Sequence, residues 1–349
     1  MKLRPLLLLL ALAASACGGA AAAPDPVTVT TLPPPTTTTT TTTTTIPTAT
    51  TTAPTTSTTS DPGPPAPLTG QTGDVSDQQV LIAKLSNATK GRPQTGINES
   101  DLVMEVLVEG GVGRWLAVFQ TTYPEIVGPL RSLREVDPKL IAPFDARILS
   151  SGGQASVRRE VRKVASDESD GTIPGYFRER GRPAVYDLMY DLAELPDNEW
   201  DGVVDRLLDF DPRPRGPAEE AVEIEVRMST INVVSWVFDH GRYRRFQDSE
   251  FSADSEGAEI AADSVVVVWV RQLATGRVDS AGSVVPDYEV VGSGPVHVFR
   301  DGVVFEGEWV RDSIDEFFAF QDVDGDGIPL APGRTWLHFT PLSGRVDWS

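Results

Sequence analysis

From residue 80 onward, apolar residues come in short runs closed at both ends by turn formers. The runs at 80–86, 102–108, 115–120 and 146–150 have the length and bounding residues of strands. Between them, 133–141, 155–165 and 187–195 read as helical stretches, the last with its apolar residues at near-helical spacing. The second half carries more strand signals, at 222–228, 233–238, 265–273, 296–299, 303–310 and 335–340. Arg300-Asp301-Gly302 joins two of these runs with the Asp-Gly pair that favours a two-residue hairpin. Three prolines and a glycine within 209–217 break both helix and strand and place a boundary there. The expected fold class is α+β: an α/β domain at 67–216, then a β-rich, mostly antiparallel domain at 217–349.

The first residues change the picture of where this body works. Lys2 and Arg4 precede an apolar run from Leu6 to Ala14, the form of a secretory signal and too short for the roughly 20 residues a spanning helix needs. Ala14-Ser15-Ala16-Cys17-Gly18 follows, resembling a bacterial lipobox, with Ala14 where leucine is usual. The expectation is a signal peptide at 1–17 and lipid carried on Cys17, where two or more acyl chains give stable anchoring; the alternative is an ordinary cleavage site with Cys17 as a spare thiol. Residues 18–66 are almost entirely Ala, Thr, Pro and Ser, including an unbroken threonine run from Thr36 to Thr45. Such a composition cannot bury enough apolar surface to fold and is expected to act as a tether reaching on the order of 100 Å. Cys17 is the only cysteine, so the body must be stable without disulfides.

Net charge is −20. Residues 66–218 hold 18 basic and 24 acidic side chains, whereas 219–349 hold 10 against 24. That sign argues against nucleic acid as a partner and against docking on anionic lipid. The three histidines, His240, His297 and His338, have no metal-ligand spacing, and their absence from the first half sets aside a histidine-dependent hydrolase centred there. Asp322, Asp324 and Asp326 match the start of a calcium loop, but the twelfth position is Gly333, where a bidentate glutamate belongs. Asp101, Glu105 and Glu109 at strand spacing lie about 13 Å apart in pairs of like face, too far for a glycosidase pair. No catalytic residues, metal or cofactor are assigned.

Arginines are more informative. Arg92, Arg114, Arg131 and Arg134 stand close to glycine or proline near probable strand ends, a setting suited to bidentate binding of carboxylate or phosphate. The candidate anion site comprises Arg114, Arg131, Ser132, Arg134, Gly152, Gly153 and Gln154, two turn-to-helix corners expected to lie side by side. Pairing of the arginines with Asp101, Glu105 or Glu109 is the competing structural reading.

The segments Arg92–Asn98, Leu107–Trp115 and Gly128–Arg134, with Val291–Phe299, Gly307–Trp309 and Leu330–Trp336 near the end, resemble the YerB-like lipoproteins of Gram-positive bacteria. The resemblance implies an extracytoplasmic lipoprotein of two adjoining domains of unknown function. Together with the residues, it leads to an expectation of a non-enzymatic binding module in the envelope, held to the membrane by lipid and engaging a partner protein or wall polymer. An enzyme or binder acting on an anionic envelope substrate through the arginines is the alternative.

Overall fold

Strand formation follows the β-branched and aromatic residues that crowd the apolar runs, and it goes further than their number suggests. In the computed structural model, described for residues 64–349 except 74, 76, 200–203 and 280–281, the described residues form one compact unit. The signal segment, Cys17 and nearly all of the tether lie outside the described residues.

The main strands are β1 (Leu81–Ser86), β2 (Leu102–Leu107), β3 (Gly113–Phe119), β4 (Arg147–Leu149), β5 (Glu223–Arg227), β6 (Val233–Asp239) and β7 (Arg242–Gln247). They continue with β8 (Ser264–Val270), β9 (Gln272–Val278), β10 (Val284–Tyr288), β11 (Gly292–Arg300), β12 (Val303–Arg311), β13 (Thr335–Pro341) and β14 (Arg345–Trp348). An eleven-stranded mixed sheet runs Ala319–Gln321, β12, β11, β8, β13, β2, β3, β1, β4, Ser166–Asp167, with Glu219–Glu220 added beside β12. The inner strands are buried on both faces, as their continuous apolar sequences require (Leu102–Leu107 and Thr335–Pro341 have no exposed residue). β13 lies between β8 and β2, parallel to both, and β4 runs parallel to β1. As β3 is antiparallel to both β1 and β2, the strands β1, β2, β4, β8 and β13 all point one way.

A six-stranded antiparallel sheet, Glu250–Phe251, β7, β6, β5, β14 with Ala261–Ala262 beside β7, packs on the main sheet. Trp236 from it meets Trp336 from β13 edge to face at 5.3 Å between ring centres. β9 and β10 form a separate hairpin. Helix is scarce: α1 (Asp137–Ile141), α2 (Ala155–Val161) and five single 3-10 turns among the described residues. The fold is therefore richer in strand than an α/β first half would give, and two expectations need correction. Residues 187–195 hold a strand, Leu188–Asp191, between Ile126–Val127 and Tyr176–Arg178, then a 3-10 turn. The helix expected at 133–141 is only α1. The chain comes into the body where the parallel strands begin: Thr69 O accepts from Gly333 N at 2.8 Å, just ahead of β13.

Candidate anion site

The opposite edge of the main sheet, where the parallel strands end, gathers most of the side chains singled out in the sequence. In sheets of this kind, that edge leaves loop backbone and strand ends free to build a site. Arg114 lies at the start of β3, opposite Ser86 at the end of β1. Two loops meet beside it: Ser151 N donates to Arg131 O at 3.1 Å, Leu133 N to Gly152 O at 2.8 Å, and the Ser132 and Ser151 hydroxyls pair at 3.1 Å. The 131–134 and 150–154 segments are thus adjacent, as expected from sequence.

Two arginines converge on one acceptor. Arg114 Nη1 donates to Ser132 O at 2.7 Å, and Arg134 Nη1 reaches the same oxygen at 3.4 Å and Leu133 O at 2.9 Å. Arg134 also pairs with Glu109 at 2.6 Å. Arg131 Nη1 donates to Val185 O at 2.6 Å, and its guanidinium lies over the Tyr186 ring at 5.1 Å. Neither Arg114 nor Arg131 is ion-paired among the described residues. Beneath them Lys84, fully buried, donates to Asp137 at 2.6 Å.

The electrostatics reflect burial first and the crowding of like charge after it. Burial, and after it the neighbouring Arg134 and Arg131, pushes the Arg114 guanidinium down to about 9. Burial pushes the Lys84 ammonium down to about 8 despite Asp137, with Arg114 and Arg134 adding to the effect. Burial also lowers Arg131, with Arg134 adding to it and Tyr186 opposing. Among the described residues, Lys84, Arg114, Arg131 and Arg134 meet two carboxylates, Asp137 and Glu109.

The remaining candidate residues divide. Gly152 is buried with φ +92°, a conformation glycine tolerates, and Gly153 is exposed. Gln154 precedes α2 without capping it and instead accepts from Arg277 Nη1 at 3.0 Å. The expected contribution of helix ends is small here, since α1 starts only at Asp137 and α2 has seven residues. Arg92 is elsewhere, bonded to Asn87 and paired with Asp248 at 2.6 Å. The carboxylates proposed as structural partners scatter: Asp101 accepts Gln120 N and Thr121 N, Glu105 is buried with Arg245, and only Glu109 meets the cluster. In the acidic loop, the Asp322 carboxylate accepts the backbone N–H groups of Asp324 and Asp326, bracing the turn.

Sequence reasoning missed Arg277. It stands on β9, and its other guanidinium nitrogen pairs with Glu135, 142 positions away, so no local signal marks it. Lys139 with Asp287 at 2.7 Å, and Tyr288 OH donating to Leu107 O at 2.9 Å, hold the same hairpin against this edge.

Two families of domain match this chain: the N-terminal domain of DUF3048, a protein of unknown function, over residues 68–201, and the corresponding C-terminal domain over 224–337. YerB, a candidate lipoprotein of Bacillus subtilis (strain 168), is 29% identical over 297 residues, covering 79% of this chain and 86% of that protein. The crystal structure of YerB superposes with a TM-score of 0.69 at 24% identity, over 81% of this chain and 99% of that one.

Proposed function

The chain belongs to the DUF3048 family of YerB-like proteins, and from that premise we propose a non-enzymatic, lipid-anchored envelope module whose arginine corner binds a phosphate- or carboxylate-bearing envelope polymer. The anchoring part of the reading is supported by the secretory pattern ending at Cys17 and by the lipoprotein description of the relative. The binding part is carried by one observation: Arg114 and Arg131 converge with Arg134 at a sheet edge, yet main-chain carbonyls, not carboxylates, hold the first two. Guanidinium groups fixed in this way keep donors in a set direction for a planar or tetrahedral anion.

Calorimetric titration of the full chain with inorganic phosphate and sulfate tests it. The native protein is expected to bind at least one of them, Arg131→Ala to lose that binding, and Arg131→Lys to retain part of it. Because Arg131 is half-buried at the surface, its melting temperature should fall by only a few degrees. No binding by the native chain, together with a sharp loss of stability in Arg131→Ala, would make the arginine a strut for the 185–186 segment and end the proposal.

A further inference from the structure

Beside the arginine corner, a groove of about 660 Å³ separates the β9–β10 hairpin from the end of the six-stranded sheet. Its floor is apolar, with Leu107, Val108, Met228, Pro286 and Pro341. The rim is more unusual. Val284 lines it, Val278 faces Val284 across the hairpin, Leu342 lies between the lining residues Pro341 and Ser343, and Ile231 follows lining Thr230. Val284, in the lining itself, and its neighbours Val278, Leu342 and Ile231 are each more than half exposed. An exposed apolar residue lining a groove, with three more beside residues that line or pair across it, is characteristic of a surface that another molecule covers.

The charge of the groove runs against that of the chain. In a protein with 50 acidic and 30 basic residues, the described residues lining this groove include Arg227 and Arg345 and no acid. Each arginine leans on an acid two positions away, Glu225 at 2.8 Å and Asp347 at 2.6 Å. All four of those side chains are more than two-fifths exposed, so the pairs are worth little and either arginine can take a new partner.

A segment with the complementary character protrudes from a different part of the same chain. Val323 is 94% exposed, flanked by Asp322, Asp324 and Asp326. It is not on a loose loop. Asp322 N donates to Asp326 O at 2.8 Å and Gly325 N to Asp322 O at 3.1 Å, while the Asp322 carboxylate takes two more N–H groups. A rigid turn displaying one aliphatic side chain among three carboxylates loses little freedom on docking. Its own molecule leaves the Val323 side chain almost wholly open to solvent.

We propose that the occupant of the groove is the 322–327 turn of a second copy, with Val323 on the apolar floor and the aspartates meeting Arg227 and Arg345. Groove and turn share no residue, so the contact is head-to-tail and leaves one free groove and one free turn at the ends of any chain of copies. One turn in one groove is small for an interface, so the association is weak in dilute solution.

Sedimentation equilibrium of the full chain, carrying Cys17→Ser so that neither lipid nor a disulfide contributes, reads this directly. The mean mass is expected to rise with concentration into the hundreds of micromolar. Val323→Asp and Val284→Asp alter exposed side chains and should fold normally, which circular dichroism checks, yet each alone should remain monomeric. An equimolar mixture of the two variants keeps one sound groove and one sound turn and should give a species of twice the monomer mass and nothing larger. A native chain monomeric throughout, a Val323→Asp form that associates like the native chain, or a mixture that stays monomeric would each overturn the proposal. None of these results depends on phosphate binding at the arginine corner.

Discussion

Glu105 has no exposed surface, and its charge is tolerable only because distant segments supply donors to it. Asn87 and Asn232 donate to Oε1 at 2.9 and 3.0 Å, and Arg245 Nη2 approaches Oε2 at 3.4 Å. The Arg245 guanidinium is itself packed over the Trp115 and Trp336 rings, 4.9 and 5.1 Å from their centres. Trp236 Nε1 donates to His338 Nε2 at 3.0 Å, which leaves the imidazole proton on Nδ1, 3.4 Å from Glu105. Burial pushes His338 down to about 4, although Glu105 pulls the other way. The folded protein therefore refuses a proton that the unfolded chain accepts near pH 6.5, and stability falls as pH drops from about 6.5 to about 4. Between pH 7 and pH 5, this one group should cost about 2 kcal/mol. Urea midpoints at the two pH values check it: His338→Gln should lose less on acidification than the native protein, and an unchanged loss would assign the effect to other groups. Nothing of this network was legible in the sequence, because Glu105 and Arg245 are 140 positions apart and Arg245 lies outside every apolar run the sequence shows. The adjacency of the 131–134 and 150–154 loops was legible because both are short and hold or closely follow glycine or proline, whereas Arg114 joins them from β3.

At the scale of elements, turns with strict backbone needs were the easiest to read. Asp301 and Gly302 take φ of +53° and +76° and close the β11–β12 hairpin with Arg300 opposite Val303. A Cβ at position 302 would sit 2.9 Å from Phe238 Cδ1, so both conformation and space exclude a side chain there. Gly302→Val should destabilise by about 2–4 kcal/mol, read as a lowered denaturant midpoint with unchanged slope. An effect under about 0.5 kcal/mol would show that the hairpin can rebuild its turn. Elements set by distant partners were read less well. The run at 187–195 fits a helix face and a buried strand equally, and Tyr176–Arg178 and Ile126–Val127 decide the matter by pairing with it. At 133–141, Asp137 takes Arg134 N on one oxygen and Lys84 Nζ on the other, which holds 134–136 in a turn and delays the helix. The run at 265–273 divides because β9 leaves the main sheet after Arg271, with exposed residues alternating along it as befits a hairpin open to water.

Across the whole molecule, the main sheet draws strands from both halves, with β13 inserted beside β2. The proline-rich joint is tied down as well: Asp211 N donates to Leu330 O at 3.0 Å, and Arg300 Nη1 donates to Asp211 O at 2.8 Å. Limited proteolysis should therefore cut ahead of residue 64 before it cuts at 212–217, and calorimetry should show one unfolding transition. Early cleavage at the joint, or two separated transitions, would mean that the halves stand independently. The direction of the sheet has a mechanical side. The chain comes in beside Gly333, where the parallel strands begin, and the arginine corner occupies the edge where they end, roughly 20 Å away for strands of six residues. If the membrane holds one end and a wall polymer the other, tension between them runs along the strands. The ladders joining β13, β2, β3 and β1 lie across that pull, so their hydrogen bonds are loaded together in shear and must yield as a group instead of unzipping one at a time.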